Sequence, residues 1–140
     1  MTFIDTSILV HAAATPSPDH RRAKSAFSRA LAAGRLTLSR QVVREYLSVI
    51  TRPQPWGNTL SLADAIVSAN VFLRRFHILE DGELVWAELA RLGQSHDFAG
   101  KQVHDANIVA TMLAHAETRV LTFNDKHFRR FEPLIQVLTP

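Results

Sequence analysis

Acidic side chains at separate points of the sequence have the clearest potential for chemistry. Asp5 directly follows a short apolar run at the N-terminus, and Asp105 opens an apolar segment that is typical of a helix. Glu45 shares a helical face with Val42 and Val49, where a carboxylate is costly unless it is paired or bound to a cation. Carboxylates gathered at one place repel each other, and divalent cations neutralise that repulsion. Oxygen ligands alone favour Mg²⁺ or Mn²⁺ over zinc, so such a cluster predicts a magnesium or manganese site.

A fourth polar group follows the apolar run 119–122. Asn124 and Asp125 are adjacent there, and both residue types are also common in turns. Either side chain could add an oxygen ligand to the predicted metal site.

Each of the three acids also has a purely structural interpretation. An aspartate that opens a helix is a preferred N-cap, which would account for Asp105. A salt bridge to a nearby arginine would account for Glu45. Asp5 could itself be a cap or turn residue, but Thr6 or Ser7 can cap the following helix, which would leave Asp5 free for another partner.

Short apolar segments alternate with helical segments along the sequence. The predicted strands are 2–4, 36–38, 76–79, 119–122 and 134–138, and the predicted helices are 8–13, 19–33, 40–51, one that starts at 61, 83–92 and 103–116. This alternation predicts an α/β fold, a three-layer α/β/α sandwich around a central, mainly parallel sheet of about five short strands. In such sheets the working cleft lies beyond the carboxyl ends of the strands, where Asp5 and Asn124 are placed.

The composition is that of an ordinary globular chain. Its 140 residues are 46% apolar and 21% charged, which predicts a single domain over 1–140 and excludes disorder as the main description. Cysteine is absent, so disulfides, thiolate nucleophiles and cysteine zinc sites are excluded. We expect no secretory signal, because residues 1–10 contain Asp5 and no basic segment, and no apolar run reaches the roughly 20 residues that cross a membrane. We therefore expect a cytoplasmic protein without a membrane partner.

Positive charge is modest but consists mostly of arginine. The formal net charge is +3, and only Lys24, Lys101 and Lys126 among the 16 basic residues are lysines. Arginine suits bidentate contact with phosphate, so the balance fits a nucleic-acid partner, although many other proteins are equally basic.

Other catalytic arrangements have little support in the sequence. The seven histidines show no H-E-x-x-H spacing, and the motifs of serine hydrolases and nucleotide-binding loops are absent. His104 and His127 adjoin the acidic positions and could lie near the cleft. A Mg²⁺-dependent phosphatase of haloacid-dehalogenase type, with Asp5 as nucleophile, is an alternative, but Ser7 stands where that class requires a second aspartate.

Taken in order, the acidic motifs resemble those of a known family. The segments 3–10, 42–46, 103–110 and 120–124, with Phe128 after the last, are similar to the motifs of a PIN-domain ribonuclease of the VapC toxin type from bacterial toxin–antitoxin pairs. The resemblance covers essentially the whole chain. It implies endonucleolytic cleavage of RNA that depends on Mg²⁺ or Mn²⁺, a homodimer, and a cognate antitoxin protein that blocks the cleft.

The resemblance also implies roles for individual residues. Asp5 and Asp105 would be direct metal ligands, and Glu45 would bind metal or orient the attacking water. Asn124, where the family often has aspartate, or Asp125 would complete the site through water. Two hydroxyl residues would bond a carboxylate or phosphate, namely Thr6 and Ser7, and three arginines would hold RNA phosphates, namely Arg40, Arg44 and Arg129. The uncharged Asn124 also favours a third alternative, a PIN-like module that binds RNA or protein without catalysis.

Overall fold

The computed structural model describes residues 1–57 and 59–140, in which short strands alternate with helices. The strands are β1 (Thr2–Ile4), β2 (Leu36–Ser39), β3 (His77–Leu79), β4 (Arg119–Leu121) and β5 (Gln136–Leu138). The helices are α1 (Thr6–Ala13), α2 (His20–Ala33), α3 (Arg40–Ile50), α4 (Leu62–Arg75), α5 (Glu83–Ser95), α6 (Gln102–Ala114) and α7 (Asp125–Phe128), and a 3₁₀ turn follows at Arg129–Phe131.

The five strands form one parallel sheet in the order β3-β2-β1-β4-β5. Every residue of β1 and β2 is buried, so side chains on both faces of the sheet centre are covered. Phe3, Ile4 and Leu38 are completely inaccessible and belong to the continuous apolar core. This confirms the predicted α/β/α architecture, and the sheet is entirely rather than mainly parallel.

The strand order changes direction at β1. From β1 the chain adds β2 and then β3 on one side, and it later returns to add β4 and β5 on the other side. In open parallel sheets such a switch point opens a crevice outside the carboxyl ends of the two neighbouring strands. Asp5 follows β1 and Asn124 comes shortly after β4, so the topology places both at this crevice.

Helix α1 begins earlier than the sequence predicted. It starts at Thr6 rather than at Ile8, and its N-cap is Asp5, whose Oδ2 accepts the Ser7 N–H at 3.3 Å. The prediction that Thr6 or Ser7 caps this helix was wrong. Both residues lie inside the helix, and the Asp5 carboxylate accepts the N–H of the second helical residue. Asp5 is thus a capping residue as well as a candidate ligand.

Asp105, in contrast, is not a cap. Helix α6 begins at Gln102 after Lys101, which places Asp105 inside the first helical turns, so the capping interpretation of Asp105 was wrong.

Helix α5 continues to Ser95, three residues beyond the predicted end, and therefore shortens the connection that precedes α6. Ser39 is the N-cap of α3, since its Oγ accepts the Val42 N–H. Within the described residues, no helix is both long and apolar enough to cross a membrane.

Candidate active site

A pocket of about 560 Å³ opens at the crevice between β1 and β4. Asp5, Glu45 and Asp105 line it together, although they come from the β1–α1 junction, α3 and α6. Asn124 and the two predicted hydroxyl residues, Thr6 and Ser7, line it as well. Folding therefore brings together in one cavity acidic and polar side chains that are far apart in the sequence.

Asp5 is the most deeply buried of the three acids, with 4% of its surface exposed. Its Oδ2 accepts hydrogen bonds from Ser7 Oγ at 2.6 Å and Thr122 Oγ1 at 2.7 Å, in addition to the Ser7 N–H. Among the described residues, Oδ1 accepts no hydrogen bond. The carboxylate is thus held by one oxygen while the other retains its lone pairs for a cation.

The hydrogen bonds that the Glu45 carboxylate accepts come from neutral donors. Thr6 Oγ1 donates to its Oε2 at 3.0 Å, and Gln41 Nε2 donates to its Oε1 at 2.9 Å. No arginine or lysine of the described chain forms a salt bridge with it, so the salt-bridge interpretation was wrong. Glu45 therefore lines the pocket as a half-buried carboxyl group without a cationic partner in the described chain.

Asp105 shows that the three acids influence one another. Burial raises the pKa of its carboxyl above the usual range, and the negative charges of Asp5 and Glu45 raise it further. His127 opposes this effect, with Nδ1 at 3.2 Å from Oδ2 of Asp105. The protonated form of Asp105 is favoured mainly because burial penalises the charged carboxylate, and the charges of Asp5 and Glu45 add to this effect.

The donor chemistry of the pocket fits a hard divalent cation, but the side chains do not yet form a complete coordination shell. Over residues 1–57 and 59–140, no three His, Asp or Glu side chains lie close enough to share one metal ion as they stand. The side chains that the sequence predicted as ligands all offer oxygens, Asp105 is electrostatically linked to Asp5 and Glu45, and Asp5 keeps one unengaged oxygen. Asp105, which no hydroxyl group of the described residues holds, would have to turn toward the other two acids to complete the site.

The structure distinguishes Asn124 from its neighbour. Asn124 lines the pocket, and its backbone N–H donates to Thr122 Oγ1 at 2.8 Å. Asp125 is not part of the pocket wall and instead accepts a 2.8 Å hydrogen bond from Arg129 Nε, which lowers the pKa of the Asp125 carboxyl. Of the two predicted alternatives, Asn124 has the position from which a pocket ligand could act.

The predicted RNA-binding arginines lie outside the pocket wall. Arg40 makes a bidentate pair with Glu80, Arg129 pairs with Asp125, and Arg44 is exposed. The basic side chains that do line the pocket are Arg52 and Lys101. No helical pattern could have selected Arg52, because it lies two residues beyond the end of α3 at Ile50.

Two further residues at the site were not singled out from the sequence: Trp56, which lines the pocket, and Thr122, which bonds Asp5 without lining the pocket. Thr122 follows β4 directly, so the strand-end rule that selected Asn124 could also have selected Thr122. Trp56 comes from the connection after α3, where no periodic pattern indicates which side chains turn inward.

The geometry can be compared with known proteins. A model of the PIN domain family matches residues 2–132. The chain belongs to the PIN domain family. A relative, Ribonuclease VapC48 from Mycobacterium tuberculosis (strain ATCC 25618 / H37Rv), is 34% identical over 131 residues, which are 91% of this chain and 90% of the relative. The resemblance to a VapC-type PIN-domain ribonuclease is therefore confirmed, and the haloacid-dehalogenase alternative loses its support.

Solved structures share this PIN fold. VapBC2 from Rickettsia felis, bound to a DNA fragment from its promoter, matches with a TM-score of 0.66 and 17% identity, over 99% of this chain and 98% of that one. VapC20 from Mycobacterium tuberculosis, a toxin that cleaves the sarcin–ricin loop, matches with a TM-score of 0.66 and 19% identity, over 91% and 92% of the two chains. These likenesses establish that the whole PIN architecture is shared.

Proposed function

We propose that this chain is the toxin of a VapC-type toxin–antitoxin pair and hydrolyses phosphodiester bonds of RNA with Mg²⁺ or Mn²⁺. The observation that carries the proposal is the meeting of Asp5, Glu45 and Asp105 in one pocket at the switch point of a PIN-domain sheet. The 34% identity to a VapC ribonuclease supports the same conclusion. The single nuclease domain over 1–140 and the cytoplasmic location remain predictions.

Asp5, through Oδ1, and Asp105 would hold the cation. A divalent cation, when bound, supplies positive charge that stabilises a phosphodiester transition state and lowers the pKa of water. Glu45 would bind the cation or orient the attacking water by accepting its hydrogen bond. Asn124 can offer only its neutral carbonyl oxygen, so the negative charge of the site rests on the three acids.

The hydroxyl residues have positioning roles. Ser7 and Thr122 hold Oδ2 of Asp5, and Thr6 holds Oε2 of Glu45. Each hydroxyl restricts the rotation of the carboxylate that it bonds. That carboxylate therefore loses less conformational freedom when the site binds its cation. Thr6 and Ser7 therefore act on the acids rather than on RNA.

Arg52 and Lys101 would bind the RNA backbone. Both line the pocket with the acids, and neither forms a salt bridge within the described part of the chain. Cations on the wall of an otherwise acidic pocket can contact phosphates on either side of the bond that is cut. The partners we propose are an RNA substrate, a cognate antitoxin and a second copy of the chain.

The proposal is tested by incubating the purified protein with a pool of RNA, with Mn²⁺, with Mg²⁺ and with EDTA, and mapping the new ends. We expect internal cleavage with either cation and none with EDTA, and we expect folded Asp5→Asn to be inactive. Cleavage in EDTA, or undiminished cleavage by Asp5→Asn, would contradict the proposal. Release of phosphate from a monoester without RNA cleavage would indicate a phosphatase, and RNA binding without cleavage would indicate a binding module.

A further inference from the structure

One wall of the candidate active site is aromatic, and the carboxylate chemistry does not require it. His11 and Trp56 line the same pocket as the three acids. Their ring centroids are 5.1 Å apart with planes inclined at 48°, and Phe123 packs edge-on against His11 at 4.9 Å. Both His11 and Trp56 are only partly buried, so ring surface remains on the pocket side.

The His11 ring is held by a hydrogen bond, and its burial favours the neutral imidazole. Its Nδ1 lies 2.6 Å from Oγ of Ser17, a residue that is 5% exposed. Burial lowers the pKa of His11 below its usual value, although the charge of Asp19 opposes this effect. An uncharged ring held on one edge behaves as a flat aromatic support rather than as a cation.

The connection that carries Trp56 is held against the end of α3. Gln54 Nε2 donates to the carbonyls of Val49 at 2.7 Å and Arg52 at 3.2 Å. The Gly57 N–H donates to the Gln54 carbonyl at 2.8 Å, with a φ of 83° at Gly57 that disfavours a side chain there. Trp56 is therefore positioned before any ligand arrives, next to the helix that supplies Glu45.

We propose that Trp56, supported by His11, stacks on one unpaired nucleobase of the RNA beside the bond that is cut. This inference rests on the proposed function and adds a substrate subsite to it. Aromatic side chains bind the faces of unstacked bases in single-stranded RNA, and the interaction tolerates every base because each has a π face. Arg52 lines the pocket with Trp56 and can contact the adjoining phosphate. The subsite selects single-stranded RNA at that nucleotide.

An abasic scan measures this contact directly. A short RNA that the wild-type protein cuts at one bond is prepared with a single abasic nucleotide at each position around that bond. Wild type should lose about 5- to 100-fold in kcat/KM when the stacked base is missing. On intact RNA, Trp56→Ala should lose a similar factor in kcat/KM, and removal of the stacked base should cause no further loss in this variant. Trp56→Phe should retain most of the cleavage activity. Trp86→Ala is the matched control, since Trp86 is 71% exposed and outside this pocket.

Fluorescence gives a readout that does not depend on cleavage. The sequence has two tryptophans, so Trp86→Phe leaves Trp56 as the only indole and Trp56→Phe leaves Trp86. Titration with single-stranded RNA in EDTA should quench Trp56 and leave Trp86 unchanged. Three results would overturn the subsite. They are Trp56 fluorescence that saturating RNA does not quench, an equal loss of kcat/KM on abasic RNA in Trp56→Ala and wild type, and the absence of RNA binding. Quenching of Trp56 without cleavage under Mn²⁺ would instead overturn the proposed function and leave the subsite standing.

Discussion

Thr122 Oγ1, directly after β4, donates a 2.7 Å hydrogen bond to Oδ2 of Asp5, directly after β1. The two residues are 117 positions apart in the sequence, and each is almost fully buried. The same hydroxyl accepts the N–H of Asn124 at 2.8 Å. Thr122 therefore connects the two strand ends at the switch point and fixes the orientation of the candidate metal ligand.

Thr122→Val should impair cleavage without removing any proposed ligand. The substitution keeps the shape of the side chain but removes the hydrogen bond to the Asp5 carboxylate and the acceptor of the Asn124 N–H. Losing a partner that orients a metal ligand typically costs 10- to 100-fold, so we expect a fall of about that size in kcat/KM. We also expect a loss of about 1–2 kcal/mol in the free energy of unfolding, measured by urea denaturation.

Thr37→Val is the control for that experiment. Thr37 is equally buried and donates at 3.2 Å to Oε2 of Glu117, a carboxylate that is not part of the pocket wall. A similar loss of stability with nearly unchanged cleavage is expected. If both variants lose activity in proportion to stability, Thr122 has no special role in positioning Asp5.

Asp105→Asn should stabilise the cation-free protein at pH 7 while abolishing cleavage. Burial and the charges of Asp5 and Glu45 raise the Asp105 pKa, so the folded state favours the protonated acid. Protonation of Asp105 therefore stabilises the folded state below the usual aspartate pKa. This stabilisation is lost as the pH rises through the raised pKa of Asp105. At pH 7 the ionised carboxylate is a cost that asparagine removes.

Thermal melts of both proteins in EDTA between pH 4 and pH 7 measure this effect. The Tm of Asp105→Asn should exceed that of wild type at pH 7, and the gap should narrow as the pH falls. Asp125→Asn should show no such gain, since Arg129 lowers the pKa of that carboxyl. A lower Tm for Asp105→Asn at pH 7 would mean that the three acids do not repel one another as proposed.

Asn124 and Asp125 should differ in their effect on cleavage. Asn124→Ala removes the carbonyl oxygen on the pocket wall, and we expect a severalfold fall in kcat/KM because no charge is lost. Asp125→Ala removes an exposed partner of Arg129 outside the pocket, and activity should stay within about twofold. Steady-state cleavage assays compare the two, and the reverse order of effects would show that Asp125 is the fourth site residue.

Arg52 and Lys101 should account for part of the salt dependence of RNA binding. Each phosphate contact on single-stranded nucleic acid contributes about 0.7 to the slope of log affinity against log salt concentration. Arg52→Ala and Lys101→Ala should each reduce the slope by about that amount, measured by filter binding in EDTA over a series of KCl concentrations. Arg40→Ala, which removes a cation paired with Glu80, should leave the slope unchanged. Equal slopes for all these variants would remove Arg52 and Lys101 from the binding surface.

Much of the fold could be predicted because its signals are local. The apolar strands and the Ser39 cap are recognisable in a few consecutive residues, and the parallel sheet follows from their alternation with helices. The capping residues near Asp5 and Asp105 were predicted less well, because several residues there can cap and the sequence does not show which one does.

The site could be predicted only as far as strand ends and helical faces determine it. The carboxyl ends of β1 and β4 predicted Asp5 and Asn124, and the face shared with Val42 predicted Glu45. The partner of Arg40 could not be predicted, since the tertiary structure brings the distant Glu80 near it. Trp56 was missed for a similar reason, because hydrogen bonds to the end of α3 hold its segment in place. The i, i+4 spacing of Asp125 and Arg129, in contrast, was a signal for their ion pair.

The most direct test of the account is a crystal structure of the protein grown with saturating Mn²⁺, with anomalous diffraction used to locate the metal. We predict an anomalous peak in the pocket, with Asp5 and Asp105 oxygens at about 2.1 Å, a distance typical of small hard divalent cations. Glu45 should lie in contact with the metal or with a water bound to it. A pocket without a manganese peak, in crystals of protein that calorimetry shows to be saturated with Mn²⁺, would contradict the claim that these three acids form the metal site.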